Sequence, residues 1–222
     1  MSSETSGERS VAILIYSGFT ALDVIGPYDV LATLPDTKVH LVAETTDLVT
    51  SDTGILTIKP TATLADIPTP DVFLVPGGSG PGAMAVLENK QVLDWIKTAH
   101  ETSTWTTSVC TGSLILGAAG LLEGLTATTY WASQRFLDRF GATFVAERYV
   151  QEGKIVTAAG VSAGIDMTIF LASQLANKKV AQAIELALEY DPAPPFGTGA
   201  APKATEEMID LALQLIQDRT AS

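Results

Sequence analysis

The chain of 222 residues carries 13 Lys+Arg against 25 Asp+Glu, a formal net charge of −12, with 46% hydrophobic and 17% charged residues. That is the length of one domain of ordinary to large size, and apolar enough for a substantial core, which excludes a disordered, solvating chain. The acidic balance and the lack of a basic stripe argue against nucleic acid and against an anionic membrane as partners, because phosphate recognition needs clustered Lys and Arg.

Met1 to Ser10 is polar without an apolar signal-peptide core, and reads as a flexible tail ahead of a single domain over 11–222. No apolar run approaches the roughly 20 residues that span a bilayer, and a cytoplasmic location is expected. Val11 to Tyr16 is continuously apolar and β-branched, as in a strand buried on both faces of a parallel sheet. From Ala21 the residues Leu22, Ile25, Val30, Leu31 and Leu34 approximate helical spacing, with Pro27 in an early turn or at a kink. Val39 to Ala43 is a second strand, and Val49 to Ile58 a hairpin or short strand pair around Asp52-Thr53-Gly54. Asp71 to Val75 is another buried strand, ended by the glycine-rich turn Pro76 to Gly82, and helical spacing resumes through Val92, Ile96 and Ala99.

Thr104 to Val109 is β-prone and Thr111 to Leu122 reads as an apolar helix, so Cys110 falls on a strand-to-helix junction. Trp131 to Phe140 reads as a helix and Tyr149 to Ala158 as a hairpin. Ser162 to Leu175 reads as a buried helix with Ser162 as N-cap, and helices over 179–188 and 205–219 flank a Pro-rich loop. Strands alternating with helices predict a doubly wound α/β fold, mostly parallel, with helices on both faces and a β-hairpin insertion.

The candidate chemistry starts at Cys110, the single cysteine, which excludes an internal disulfide. With only His40 and His100 as imidazoles, no metal site is expected. A lone cysteine by itself reads as a small buried hydrophobe. The segment Ser108-Val109-Cys110-Thr111-Gly112-Ser113, however, imitates a nucleophile elbow, in which small neighbours tolerate a strained backbone and push the nucleophile out of the sheet. Helix-start N–H groups favour a thiolate there, so a lowered thiol pKa is expected. The glycine-rich turn Gly77 to Gly82, with Gly77 and Gly78 at its start, could offer backbone N–H groups to a substrate anion or a developing charge, or merely connect strand to helix. A phosphate loop is not matched, since Ala83 stands where its lysine would be.

Asp23 follows the first strand within Leu22-Asp23-Val24-Ile25-Gly26-Pro27; it reads either as an acid beside the thiol or as a helix-start residue placed for the dipole. Asp166 reads as the maker of a structural hydrogen bond, and both histidines as bystanders.

Together, the Asp23 segment, Val75-Pro76-Gly77-Gly78, the Cys110 segment and Ala159-Gly160-Val161-Ser162-Ala163-Gly164-Ile165-Asp166 resemble the ThiJ/PfpI (DJ-one) superfamily from about Val11 to Phe196. Within it, Asp23, Thr111 and Tyr190-Asp191-Pro192-Ala193-Pro194-Pro195-Phe196 look most like the branch that hydrates isocyanides. The resemblance implies a flavodoxin-like homodimer that adds water to a small-molecule isocyanide and needs no cofactor. It casts Cys110 as nucleophile, Asp23 as the acid beside it, Thr111 as the polar neighbour, Gly78 as one of the loop amides close to the site, and Val161 as pocket wall, with Gly77 counted among the supporting residues. Thr111 replaces the His that follows the Cys in the protease-like branch, and Tyr130 stands where many relatives have a histidine. A glyoxalase or deglycase acting on small carbonyls, or a non-enzymatic cysteine oxidation sensor, are the alternatives that also need a reactive Cys110.

Overall fold

The continuously apolar runs become the inner strands of one seven-stranded sheet. The computed structural model describes residues 7–221. In chain order its elements begin with β1 (Arg9–Leu14), α1 (Ala21–Leu31), β2 (Thr37–Ala43), β3 (Val49–Thr50), β4 (Thr57–Ile58), β5 (Ala62–Thr63) and β6 (Val72–Val75). The middle of the chain forms α2 (Gly80–Val86), α3 (Lys90–Thr102), β7 (Trp105–Val109), α4 (Gly112–Ala118) and β8 (Thr126–Ala127). A 3₁₀ segment (Trp131–Phe140) then leads to β9 (Thr143–Phe144), β10 (Tyr149–Glu152) and β11 (Ile155–Ala158). The last helices are α5 (Ala163–Leu175), α6 (Lys178–Ala187) and α7 (Glu206–Ala221).

The main sheet has the order β10-β11-β7-β6-β1-β2-β5. Every neighbouring pair is parallel except the β10–β11 hairpin. All residues of β6 and β11 are buried, as are Val11 to Leu14 of β1, which is what a parallel strand covered on both faces requires. Because the chain steps from β1 to β2 in one direction and from β6 to β7 in the other, right-handed crossovers put α1 and α3 on opposite faces. α1 packs on α5, and α3 on α4, completing the two outer layers. The direction reverses between β1 and β6, and a crevice opens there beyond the carboxyl ends of the strands. The chain delivers the segments after β1, β6 and β7 to that edge.

Several boundaries differ from the sequence reading. Arg9 and Ser10 belong to β1 rather than to a flexible tail: Arg9 donates to Thr37 Oγ1 at 2.9 Å and to the Leu175 carbonyl at 2.8 Å, and the Ser10 N–H donates to Asp71. Met1 to Ser6 lie outside the described residues. The helix expected over 111–122 is shorter, and the chain turns away at Gly120, whose φ of +79° is a left-handed conformation. Trp131 to Phe140 is 3₁₀ rather than α-helical, and ends at Gly141 with φ 69°. Ser162 does precede α5 but makes no capping bond; its hydroxyl instead accepts from Arg148. The strand pair at 49–58 forms as expected, as a separate two-stranded sheet. No helix among the described residues is long and apolar enough to cross a membrane.

Candidate active site

Cys110 has φ 58°, the left-handed conformation that an elbow imposes on its nucleophile, and is 6% exposed. For a non-glycine residue that conformation costs on the order of 1–3 kcal/mol, and the surroundings hold it in place. Its N–H is shared between the carbonyls of Ala158 and Ala159, both at 3.1 Å, while its carbonyl accepts from Thr129 Oγ1 at 3.0 Å and Ser113 Oγ at 3.2 Å. Gly112 lets the helix press on the preceding loop, since a Cβ there would lie 2.1 Å from the Val75 carbonyl oxygen.

Asp23 is fully buried in the first turn of α1. Oδ2 accepts from the Gly77 N–H at 3.0 Å, and the carboxyl is within hydrogen-bonding reach of the Cys110 thiol. Asp23 thus lies in the first turn of α1, as the dipole reading has it, and beside the thiol, as the acid reading has it. Gly77 is the spacer between them. A Cβ there would stand 2.8 Å from both Asp23 Oδ2 and Cys110 Cβ, and 2.7 Å from the Thr111 nitrogen. Gly77→Ala should therefore destabilise by about 1–3 kcal/mol, the usual cost of overpacking a tight site, and lower activity with it. Chemical denaturation and turnover read both effects; a stable, fully active variant would contradict the close approach.

The first two amides of the glycine loop are engaged by side chains within the protein. Gly77 N–H serves Asp23, and Gly78 N–H serves Thr111 Oγ1 at 3.0 Å, which lies 3.2 Å from the Gly78 carbonyl in return. An anion-binding role of the Gly77 to Gly82 turn would therefore not fall to these two amides.

The expected lowering of the Cys110 pKa is also corrected. Burial, and then the charge of Asp23, push the thiol well above its ordinary value of 9.0. The N–H groups of Thr111 and Val161 pull the other way and do not win. Helix-start N–H groups act locally, whereas desolvation depends on the whole fold. At neutral pH the thiol holds its proton beside the Asp23 carboxyl.

Tyr16, which the sequence reading passed over, completes the site. It follows β1 at the same edge, and its hydroxyl donates to the Pro76 carbonyl at 2.9 Å. Burial, then Asp23 and Cys110, raise its pKa well above 10.0. Its place just past the carboxyl end of the first strand was the available signal. Both Tyr16 and Cys110 hold their protons more tightly when folded than when unfolded. Their contribution to stability is therefore complete below about pH 8 and declines as pH climbs through the unfolded values. Melting temperatures should stay level from pH 7 to about pH 8 and drop above about pH 9, less steeply in Tyr16→Phe. A level profile through that alkaline range would contradict it.

Val161 is the second residue held in the left-handed region, with φ 44°. Its N–H faces the Cys110 sulfur from across the sheet edge. Arg148 secures that turn: its carbonyl accepts from the Ala159 N–H at 2.9 Å, and its guanidinium pairs with Asp166 and donates to Ser162 Oγ at 3.4 Å. Tyr190 donates to the same Asp166 carboxyl, which is the structural role foreseen for Asp166. Tyr130 lies against Gly160, where a Cβ would be 2.7 Å from its ring. The histidines stay apart: His100 Nδ1 meets Thr106 Oγ1 at 2.8 Å, and His40 sits on β2 opposite Ala12. Among the described residues, no group of three or more His, Cys, Asp or Glu side chains converges as a metal site would require.

A doubly wound sheet with an elbow cysteine and a carboxyl beside it at the strand ends defines a class of protein, and the comparisons agree. The chain matches the DJ-1/PfpI family over residues 9–174 and belongs to that family. It is 46% identical over 202 residues to an isonitrile hydratase of Pseudomonas putida, covering 91% of this chain and 87% of that one. The crystal structure of a ThiJ/PfpI family protein from Pseudomonas syringae superposes with a TM-score of 0.90 at 36% identity, over 97% of this chain and 88% of that one. Drosophila melanogaster DJ-1beta shares the fold, with a TM-score of 0.75 at 22% identity over 82% of this chain and 98% of that one.

Proposed function

We propose that the protein is an isocyanide hydratase, acting without a cofactor and with Cys110 as nucleophile. The observation that carries the reading is the buried pairing of the Cys110 thiol with the Asp23 carboxyl. The similarity to the Pseudomonas putida isonitrile hydratase supports the choice of substrate. An isocyanide carbon accepts a soft sulfur nucleophile and becomes basic as the bond forms, so the reaction needs a nucleophile and a group that moves a proton beside it.

In this mechanism Asp23 takes the thiol proton as Cys110 Sγ attacks the terminal carbon of R–N≡C. The same proton passes to that carbon, giving the thioimidate R–N=CH–S–Cys. Water then adds across the C=N bond to give R–NH–CH(OH)–S–Cys. Collapse releases R–NH–CHO and returns the proton to sulfur. Thr111 and Val161 N–H groups steady the sulfur as it gains negative character, and Tyr16 and Gly78 keep the Asp23–Gly77–Thr111 frame in register.

Conversion of cyclohexyl or para-nitrophenyl isocyanide to the corresponding N-formamide, identified by mass spectrometry and NMR, tests the reading. It should outpace consumption of methylglyoxal, because carbonyl chemistry in a Cys-His arrangement has no histidine here; Tyr130 occupies the corresponding place. A clear preference for methylglyoxal would favour a glyoxalase. Peroxide sensitivity without any turnover would favour an oxidation sensor. We also propose a homodimer, which the family resemblance supports, and light scattering after size exclusion should give twice the chain mass; a monomer at micromolar concentration would contradict it.

A further inference from the structure

Two separate cavities lie beside the elbow, with no wall residue in common. The smaller, about 230 Å³, touches Tyr16, Gly78 and Thr111. The larger, about 560 Å³, has Thr129, Ala159 and Val161 in its wall. Two of these bond to the Cys110 backbone, Thr129 to its carbonyl and Ala159 to its N–H, and the Val161 N–H faces its sulfur. The rest of that wall is dominated by Tyr130, Trp131, Phe144 and the segment 199–202. The rings of Tyr130 and Trp131 are 5.7 Å apart and tilted by 55°, which puts two aromatic side chains in that wall. Its volume is within the roughly 300–1,000 Å³ of sites for drug-sized molecules, far more than a methyl substituent needs.

The wall also limits charge. Arg148 reaches it, but that guanidinium is engaged with Asp166 and Ser162, and Glu147 stands next to it. With a chain net charge of −12, an anionic substituent gains nothing there. Resting on the hydratase reading for the identity of the reacting carbon, we infer that this larger cavity receives the substituent on the isocyanide nitrogen. Tyr130 and Trp131 select a bulky, neutral aryl group over a small or anionic one. The linear R–N≡C unit places its substituent directly beyond the reacting end, so the cavity whose wall includes Val161, the residue whose N–H faces the sulfur, sets which substituents are accepted.

The test measures binding and turnover separately. By calorimetry, N-(2-naphthyl)formamide should bind the wild-type protein at least about a hundredfold more tightly than N-methylformamide, as expected for burying a fused ring system. Trp131→Ala should shrink that ratio at least tenfold. Ala200→Leu, on an exposed segment where folding is not at stake, should narrow the cavity and shrink it as well. The ratio of kcat/KM for 2-naphthyl over methyl isocyanide should follow the same order. A ratio near one, a ratio unmoved by both variants, or one moved instead by Met84→Phe at the smaller cavity would overturn the inference. If isocyanides are hydrated without such dependence, the cavity assignment fails and the hydratase stands. If the naphthyl preference holds and no formamide is produced, the aryl site stands and the hydratase falls.

Discussion

Cys110→Ser should fold like the wild type and lose turnover on the order of a thousandfold or more, the scale seen when a nucleophile acting within a catalytic unit is removed. The change is nearly isosteric, and the bonds that hold the elbow run to the backbone N–H and carbonyl of residue 110, which serine retains. Circular dichroism and thermal unfolding check the fold, and steady-state rates the activity. Retention of more than about a tenth of the wild-type rate would rule out covalent catalysis by this residue.

Asp23→Asn should cut turnover at least a hundredfold, within the usual range for a group that moves a proton in the transition state. The amide can still accept from the Gly77 N–H, so stability should change by about 1 kcal/mol or less, the net worth of one hydrogen bond. The same variant should make Cys110 more reactive. Asp23 raises the thiol pKa both by its charge and by its hydrogen bond, so removing that charge lowers it, and iodoacetamide should alkylate Cys110 faster at a given pH. A variant with slower alkylation, or one that is active but markedly unstable, would return Asp23 to a structural role.

Much of the fold was legible because a parallel strand covered on both faces is mostly apolar, and Val11 to Ile15 and Val72 to Val75 are continuously so. The elbow was legible too: small residues around Cys110, with glycine two positions on, form a local signature of a local strain. The 3₁₀ character of Trp131 to Phe140 was not, because an amphipathic stripe over ten residues does not separate i→i+3 from i→i+4 bonding. Nor was the positive φ of Val161, since the neighbouring Gly160 is the residue a local reading would choose for it. The uses of the Gly77 and Gly78 amides are set by Asp23 and Thr111, which lie 54 and 33 residues away in the chain. The direction of the thiol shift and the role of Tyr16 depend on burial that only the assembled sheet edge creates.

The central claim is a covalent bond between Cys110 and the isocyanide carbon, and intact-mass spectrometry on rapidly quenched reactions tests it most directly. Wild-type protein mixed with para-nitrophenyl isocyanide should show a transient species heavier by the mass of one isocyanide. Peptide mapping should place the added mass on Cys110, its decay should coincide with formamide release, and Cys110→Ser should never form it. Formamide produced at the full rate with no mass added to Cys110, or with the mass on another residue, would contradict the mechanism.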